Sequence, residues 1–322
     1  MHLPAYTPRM RRIAMINQKG GVGKTTTAVN AAAGLAQRGS RVLLIDLDPQ
    51  SHATLHLNIQ LEAGKPSAYD VLVNGTAPTA ALCDVRENLA VLPAHLDLVG
   101  AEVELAARSE RELVLRQALQ SFDHRFDILI IDCPPSLGLL TVNALAAVEE
   151  VVIPLQPHFL ALQGLGMLLE TVTLVRGVLN PALRIAGIVL CMYERGTRLA
   201  QEVAADVRAF IARAVPDDAW HGARIFEATI RRNIKLAECP SFGQTIFDYA
   251  PASHGAEDYI ALVEELLGTA RPSYTGPQPG VTREATADTE AVIPTGTHAS
   301  TSEPQATSPE TQVPVARNAT TS

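Results

Sequence analysis

The chain has 322 residues, of which 47% are hydrophobic, and a formal net charge of -8. That size supports one large core or two small ones, and the acidic balance excludes a uniformly basic nucleic-acid binder, so contact with DNA would need a local basic face. The four cysteines, Cys83, Cys133, Cys191 and Cys239, lie far apart with no C-x-x-C pair, which argues against a disulfide framework or zinc site and for a reducing cytosol.

Residues 1–12 carry Arg9, Arg11 and Arg12 beside two prolines and read as a mobile basic arm with no apolar signal-peptide core. The apolar run 13–16 follows, ending in Asn17-Gln18-Lys19-Gly20-Gly21-Val22-Gly23-Lys24-Thr25-Thr26. Residues 25–38 then read as an alanine-rich helix, with Gly39 where a C-terminal glycine usually stands. A strand, a glycine turn and a helix in this order make a phosphate cradle: glycines let backbone N–H groups converge on an anion, and the helix N-terminus adds its positive dipole end. In such a loop Lys24 reaches the β and γ phosphates and the Thr25 hydroxyl ligates Mg²⁺.

The general pattern G-x-x-x-x-G-K-[ST] calls for glycine at position 18, where this chain has Gln18 followed by a second lysine, Lys19. The octet from Lys19 to Thr26 resembles the deviant Walker A motif of the ParA/MinD ATPases. The resemblance implies that Lys19, Gly20, Gly21, Val22, Gly23, Lys24, Thr25 and Thr26 hold ATP. It also implies that Lys19 crosses a dimer interface to the nucleotide of the second subunit.

Residues 41–47 form a β-branched and leucine-rich run suited to a strand buried on both faces, ending in Asp46-Leu47-Asp48-Pro49-Gln50-Ser51. Strand alternation puts Asp46 and Asp48 on one face, near the phosphates of a neighbouring loop. The resemblance assigns Asp48 to orienting or activating the attacking water and Asp46 to the Mg²⁺ environment. Helical periodicity marks residues 67–74 and 97–122, with a short strand at 89–92 between them, and these carry no chemistry. A further buried run, 126–131, finishes at Asp132-Cys133-Pro134-Pro135-Ser136. An aspartate ending an apolar strand is the Walker B arrangement, whose carboxylate binds the Mg²⁺ shell. Cys133 stands where the family commonly has alanine and reads as a buried, inert thiol.

Strands at 151–154, 183–191 and 224–226 extend the sheet, and 160–179 is a helix whose entry, from Gln156 to Gly164, resembles the family's segment at the dimer face. His158 is a lone loop histidine with a packing or hydrogen-bonding role rather than a catalytic one. Met192-Tyr193 and residues 230–241 resemble two late family motifs, which implies that Met192 and Asn233 contact the nucleotide, Asn233 at the base. Arg231 stands where proline is usual.

From Arg195 to Lys235 eight basic residues face five acidic ones, a local charge of +3 within an acidic protein. The resemblance implies nonspecific DNA binding by such residues, here Arg195, Arg198, Arg232 and Lys235, although Gly196 precedes Thr197 where relatives often have arginine. Residues 253–267 form a last amphipathic helix. From Gly268 the composition turns to Thr, Pro, Ala and Ser, a disordered tail with no basic amphipathic helix.

Repeated β-α units imply an α/β fold: a single P-loop NTPase domain over 13–267, its mostly parallel twisted sheet flanked by helices on both faces, between the arm 1–12 and the Thr/Pro/Ala-rich tail 268–322. The resemblance covers residues 10–267 and implies a ParA-type partition ATPase with ATP and Mg²⁺ as cofactors. Its implied partners are a second copy in the ATP state, nonspecific DNA and a ParB-like stimulating protein, on the nucleoid in the cytoplasm and without a membrane. Three alternatives stand beside it. A MinD-like division ATPase needs a C-terminal membrane helix, a positioner of other cargo shares the mechanism, and a nitrogenase-iron-protein-like reductase needs paired cysteines around a cluster.

Overall fold

Apolar runs bounded by polar turns form nine strands among the described residues: β1 (Arg11–Met15), β2 (Val42–Asp46), β3 (Cys83–Arg86), β4 (Leu89–Leu92), β5 (Ile128–Asp132), β6 (Glu150–Leu155), β7 (Arg184–Tyr193), β8 (Arg224–Ile225) and β9 (Ile230–Arg231). The computed structural model describes residues 10–122 and 124–268, so the arm expected over 1–9 and the tail expected beyond 268 lie outside the described residues. The strands run in the order β3-β4-β2-β5-β1-β6-β7-β8, with β9 on β7. Every pairing is parallel except that of β3 with β4.

Strand alternation divides the core between the two faces of the sheet. Ala14, Leu43, Ile45, Leu129 and Ile131 face one side, with the helices Leu98–Ala106, Leu139–Ala147 and Ala161–Val178. Ile13, Met15, Val42, Leu44, Ile128 and Ile130 face the other, with Lys24–Gln37 and His254–Gly268. These last two helices touch at Gly34, where an added Cβ would lie 2.7 Å from Val263 Cγ2 and 3.2 Å from the Phe247 ring. Gly34→Leu is therefore expected to cost about 1–3 kcal/mol through overpacking, seen as a lowered denaturation midpoint. An unchanged midpoint would show that the helices separate freely.

The structure revises three sequence-based expectations and adds a helix, Leu139–Ala147, that the sequence reading did not name. Arg11 and Arg12 belong to no mobile arm: they lie in β1 at 8% and 4% exposure. Arg11 Nη2 donates to Glu150 Oε2 at 2.6 Å, and Arg184 Nη2 donates to Glu150 Oε1 at 2.9 Å, so one carboxylate far along the chain pairs with both guanidinium groups. The helix expected over 97–122 breaks into Leu98–Ala106, Val114–Ala118 and a 3-10 turn, Leu119–Phe122. The break falls where Glu110 takes a left-handed φ of 54° and Arg108 donates to the Leu72 and Val73 carbonyls. The helix Leu139–Ala147 has no sequence-level periodicity because it is buried nearly all round. β2 ends at Asp46, so the strand alternation that was to seat Asp48 beside it does not reach Asp48. No helix among the described residues is long and apolar enough to cross a membrane.

Candidate active site

At the carboxyl end of β1 the chain is pinned before it turns. Asn17 Nδ2 donates to the Pro154 carbonyl at 2.8 Å, and Asn17 Oδ1 accepts the Lys19 N–H at 2.9 Å. Gly21 and Gly23 then adopt φ of 72° and 94°, values that favour glycine, and Gly23 starts the helix Lys24–Gln37. Sequence reasoning missed Asn17. Its signal was a short amide side chain between a strand and a glycine turn.

The loop leaves its two lysines in different environments. Lys24 is 6% exposed, and its Nζ donates to the Lys19 carbonyl at 3.3 Å. Burial lowers its pKa, while the charges of Asp132 and Asp48 oppose that shift. Lys19 is exposed. Val22 is buried and offers the loop only its backbone.

Parallel register brings the acids of separate runs together: Asp132 pairs with Met15 on one side and with Asp46 on the other. Asp132 is fully buried and faces the Thr25 hydroxyl, but among the described residues no donor meets either carboxylate oxygen in good hydrogen-bond geometry. Burial first, then the charge of Asp46, raises its pKa well above the usual carboxylate range, opposed by Thr25 and Lys24. Two unsatisfied oxygens beside a lysine and a threonine suit a hard divalent cation.

Asp46 is different, since both its oxygens already accept bonds. Oδ1 takes the Asp48 N–H at 3.1 Å, and Oδ2 takes the Thr54 N–H and hydroxyl at 2.8 and 2.7 Å. Burial raises its pKa to about 6. Asp48, by contrast, lines the cavity, its Oδ1 accepting the Gln50 N–H at 2.9 Å.

That cavity, of roughly 840 Å³, joins Gly20, Gly21, Gly23, Lys24, Thr25, Thr26 and Asp48 to Met192 and Asn233 from the far end of the chain. Met192 holds a φ of 51°, an uncommon conformation for a non-glycine residue. Asn233 Oδ1 caps the helix Ile234–Glu238 by accepting the Lys235 N–H at 2.8 Å, which leaves its amide nitrogen for a ligand. His158 Nδ1 accepts the Leu160 N–H at 3.1 Å, a structural bond just before the helix Ala161–Val178. Cys133, Cys191 and Cys239 are buried, and burial pushes all three thiols up, Cys191 to about 12 and Cys239 to about 11.

The candidate DNA contacts follow β7 and β9, which pair at Tyr193 and Arg231, so they share one end of the sheet. Three of the four are paired with carboxylates: Arg198 with Glu202 at 2.7 Å, Arg232 with Glu194 at 3.3 Å and Lys235 with Glu238 at 2.8 Å. Arg195 is exposed and has no ion pair among the described residues. Arg232 also lines the cavity, so the basic edge and the phosphate loop adjoin one space.

A parallel sheet, a glycine loop opening a helix and an unsatisfied strand-end aspartate define a P-loop nucleotide hydrolase, and the extra lysine places it in the deviant Walker A class. A family model described as an AAA domain matches residues 10–185. The chain is 48% identical to the chromosome-partitioning ATPase Soj of Thermus thermophilus, over 80% of this chain and 96% of that one. It is 45% identical to the chromosome partitioning protein ParA of Myxococcus xanthus, over 80% and 88%. A crystal structure of cobyrinic acid a,c-diamide synthase from Mycobacterium smegmatis with bound ADP and magnesium shares the fold, with a TM-score of 0.67 and 37% identity over 80% of this chain and 94% of that one. The chain belongs to the Soj/ParA family of chromosome-partitioning ATPases.

Proposed function

We propose that this ATPase is a DNA-bound switch set by its nucleotide. The observation that carries the reading is the cavity whose wall holds the phosphate loop, Asp48 and the edge of a basic surface at Arg232. The backbone of residues 19–23 cradles phosphate, Lys24 faces the β and γ phosphates, and Met192 and Asn233 flank the base. Thr25 and Asp132 hold Mg²⁺, a role supported by the unsatisfied carboxylate of Asp132. Bound Mg²⁺ would offset charge on the phosphates. Asp46 belongs to this environment from behind, since its oxygens are engaged within the protein.

Asp48 orients the attacking water. Exposed Lys19 reaches the nucleotide of a second copy, so that the ATP state is a homodimer and hydrolysis releases it. The dimer aligns two copies of Arg195, Arg198, Arg232 and Lys235 on DNA. Exposed ion pairs such as Arg198–Glu202 are weak, so phosphate can displace the carboxylate. A ParB-like protein accelerates hydrolysis, and the molecule works in the cytoplasm on the nucleoid. The domain spans 11–268, from the first residue of β1 to the end of the last helix. The relatives' names favour a chromosome over other cargo.

The test is binding to random-sequence DNA with ATP, ADP or no nucleotide, across salt. ATP-specific binding that weakens steeply with salt is expected, and no binding at low salt would sink the reading. Arg195→Ala should lower the slope of log affinity against log salt by about 0.9 for each DNA phosphate that Arg195 neutralises in the dimer. An unchanged slope would remove Arg195 from the surface.

A further inference from the structure

Between β2 and the helix His52–His56 the chain makes a loop that contains Asp48, and the loop is closed at its base by one side chain. Thr54 is 3% exposed and sits where three segments meet. Its N–H and hydroxyl both donate to Asp46 Oδ2, at 2.8 and 2.7 Å. Its hydroxyl oxygen accepts the Ala94 N–H at 2.9 Å, just beyond β4. The other oxygen of Asp46 accepts the Asp48 N–H at 3.1 Å.

The Thr54 hydroxyl thus donates and accepts in one buried chain that runs from Ala94 through Thr54 and Asp46 to the backbone of Asp48. β4 pairs with β2 in register, Leu92 opposite Ile45, so Ala94 is anchored to the sheet rather than to the loop. On the other side the loop is tied to the sheet at its start, where the Leu47 N–H donates to the Asp132 carbonyl at 2.9 Å. Ser51 holds a left-handed φ of 55°, and its N–H donates to the Asp48 carbonyl at 2.8 Å, a contact within the loop.

We propose that Thr54 is a positioning residue for hydrolysis: by tethering Asp46 to the end of β4 it fixes the orientation in which Asp48 meets the attacking water. This rests on the assignment of Asp48 above. Valine has the shape of threonine without the hydroxyl, so Thr54→Val would leave the buried Ala94 N–H unpaired and remove a donor from Asp46. A buried network that loses its central member loosens the groups it held. Lys24 and the glycine loop lie on other segments, so the effect falls on turnover rather than on nucleotide affinity.

The experiment compares Thr54→Val and Thr54→Ser with the parent for kcat, KM and equilibrium affinity for a fluorescent ATP analogue. The expected result is a kcat about tenfold lower for Thr54→Val, affinity within about twofold, and kcat restored by Thr54→Ser. Wild-type kcat in Thr54→Val, affinity falling in parallel with kcat, or no rescue by serine would each overturn the proposal. Where Thr54→Val does not fold, Thr54→Ala, which places no methyl against Asp46, is judged by the same outcomes. Asp48→Ala is assayed beside them. Normal turnover there removes the role of Asp48 itself, whereas inactive Asp48→Ala with fully active Thr54→Val removes only that of Thr54.

Discussion

Lys24→Ala is expected to weaken ATP binding and slow hydrolysis by at least about a hundredfold, and to abolish ATP-dependent retention of DNA. The size follows from where the ammonium sits. Lys24 is nearly sealed from water, and burial already lowers its pKa, so its charge is poorly solvated until phosphate meets it. A charge in such surroundings interacts far more strongly than one in solvent, and no other lysine among the described residues lines the cavity. Circular dichroism and a denaturation midpoint check that the protein folds, since the substitution also removes the cation that faces Asp132 and Asp48. Equilibrium titration with a fluorescent ATP analogue and phosphate release measure the effect. Affinity within twofold of the parent would overturn the role of Lys24.

Asp48→Ala is expected to lower turnover by about a hundredfold or more while leaving ATP affinity and dimerisation intact, which traps the ATP state. Asp48 lines the same cavity as Lys24, and among the described residues its carboxylate accepts the Gln50 N–H. It contributes no cation and no phosphate-facing N–H, so its loss should spare the ground state and remove an interaction made during hydrolysis. Light scattering with ATP should find a persistent dimer, and filter binding should find DNA that is not released over time. Normal phosphate release from Asp48→Ala would discard the assignment.

The parts of the molecule legible from sequence were those whose geometry is set by neighbours along the chain. A glycine turn between an apolar strand and a helix can be read directly, because φ at Gly21 and Gly23 and the converging N–H groups depend on a few consecutive residues. Asp48 and Asp132 were legible for the same reason, each standing at or just past the end of an apolar run. The parallel sheet followed from repeated β-α units, and all but one pairing agrees with it.

Other features depended on which segments meet in space. Arg11 looked like part of a free arm until β1 was seated beside β6, where Glu150 supplies the opposite charge. Asp46 was expected beside Asp48 in the Mg²⁺ environment, yet Thr54 and the Asp48 backbone claim its oxygens, a fact no strand alternation could carry. The cations of the basic edge were countable, but their pairing with Glu194, Glu202 and Glu238 was not.

The sequence by itself determined the phosphate loop, its second lysine, the strand-end aspartates and hence the nucleotide chemistry, because each is a local backbone pattern. Only the tertiary structure decided that Met192 and Asn233 line the cavity opened by that loop, that Asp132 is the unsatisfied acid while Asp46 is the satisfied one, and that Thr54 ties the segment after Asp48 to the end of β4. The physical reason is that burial and hydrogen-bond partners are properties of strand order and register, which arise only when distant segments pack.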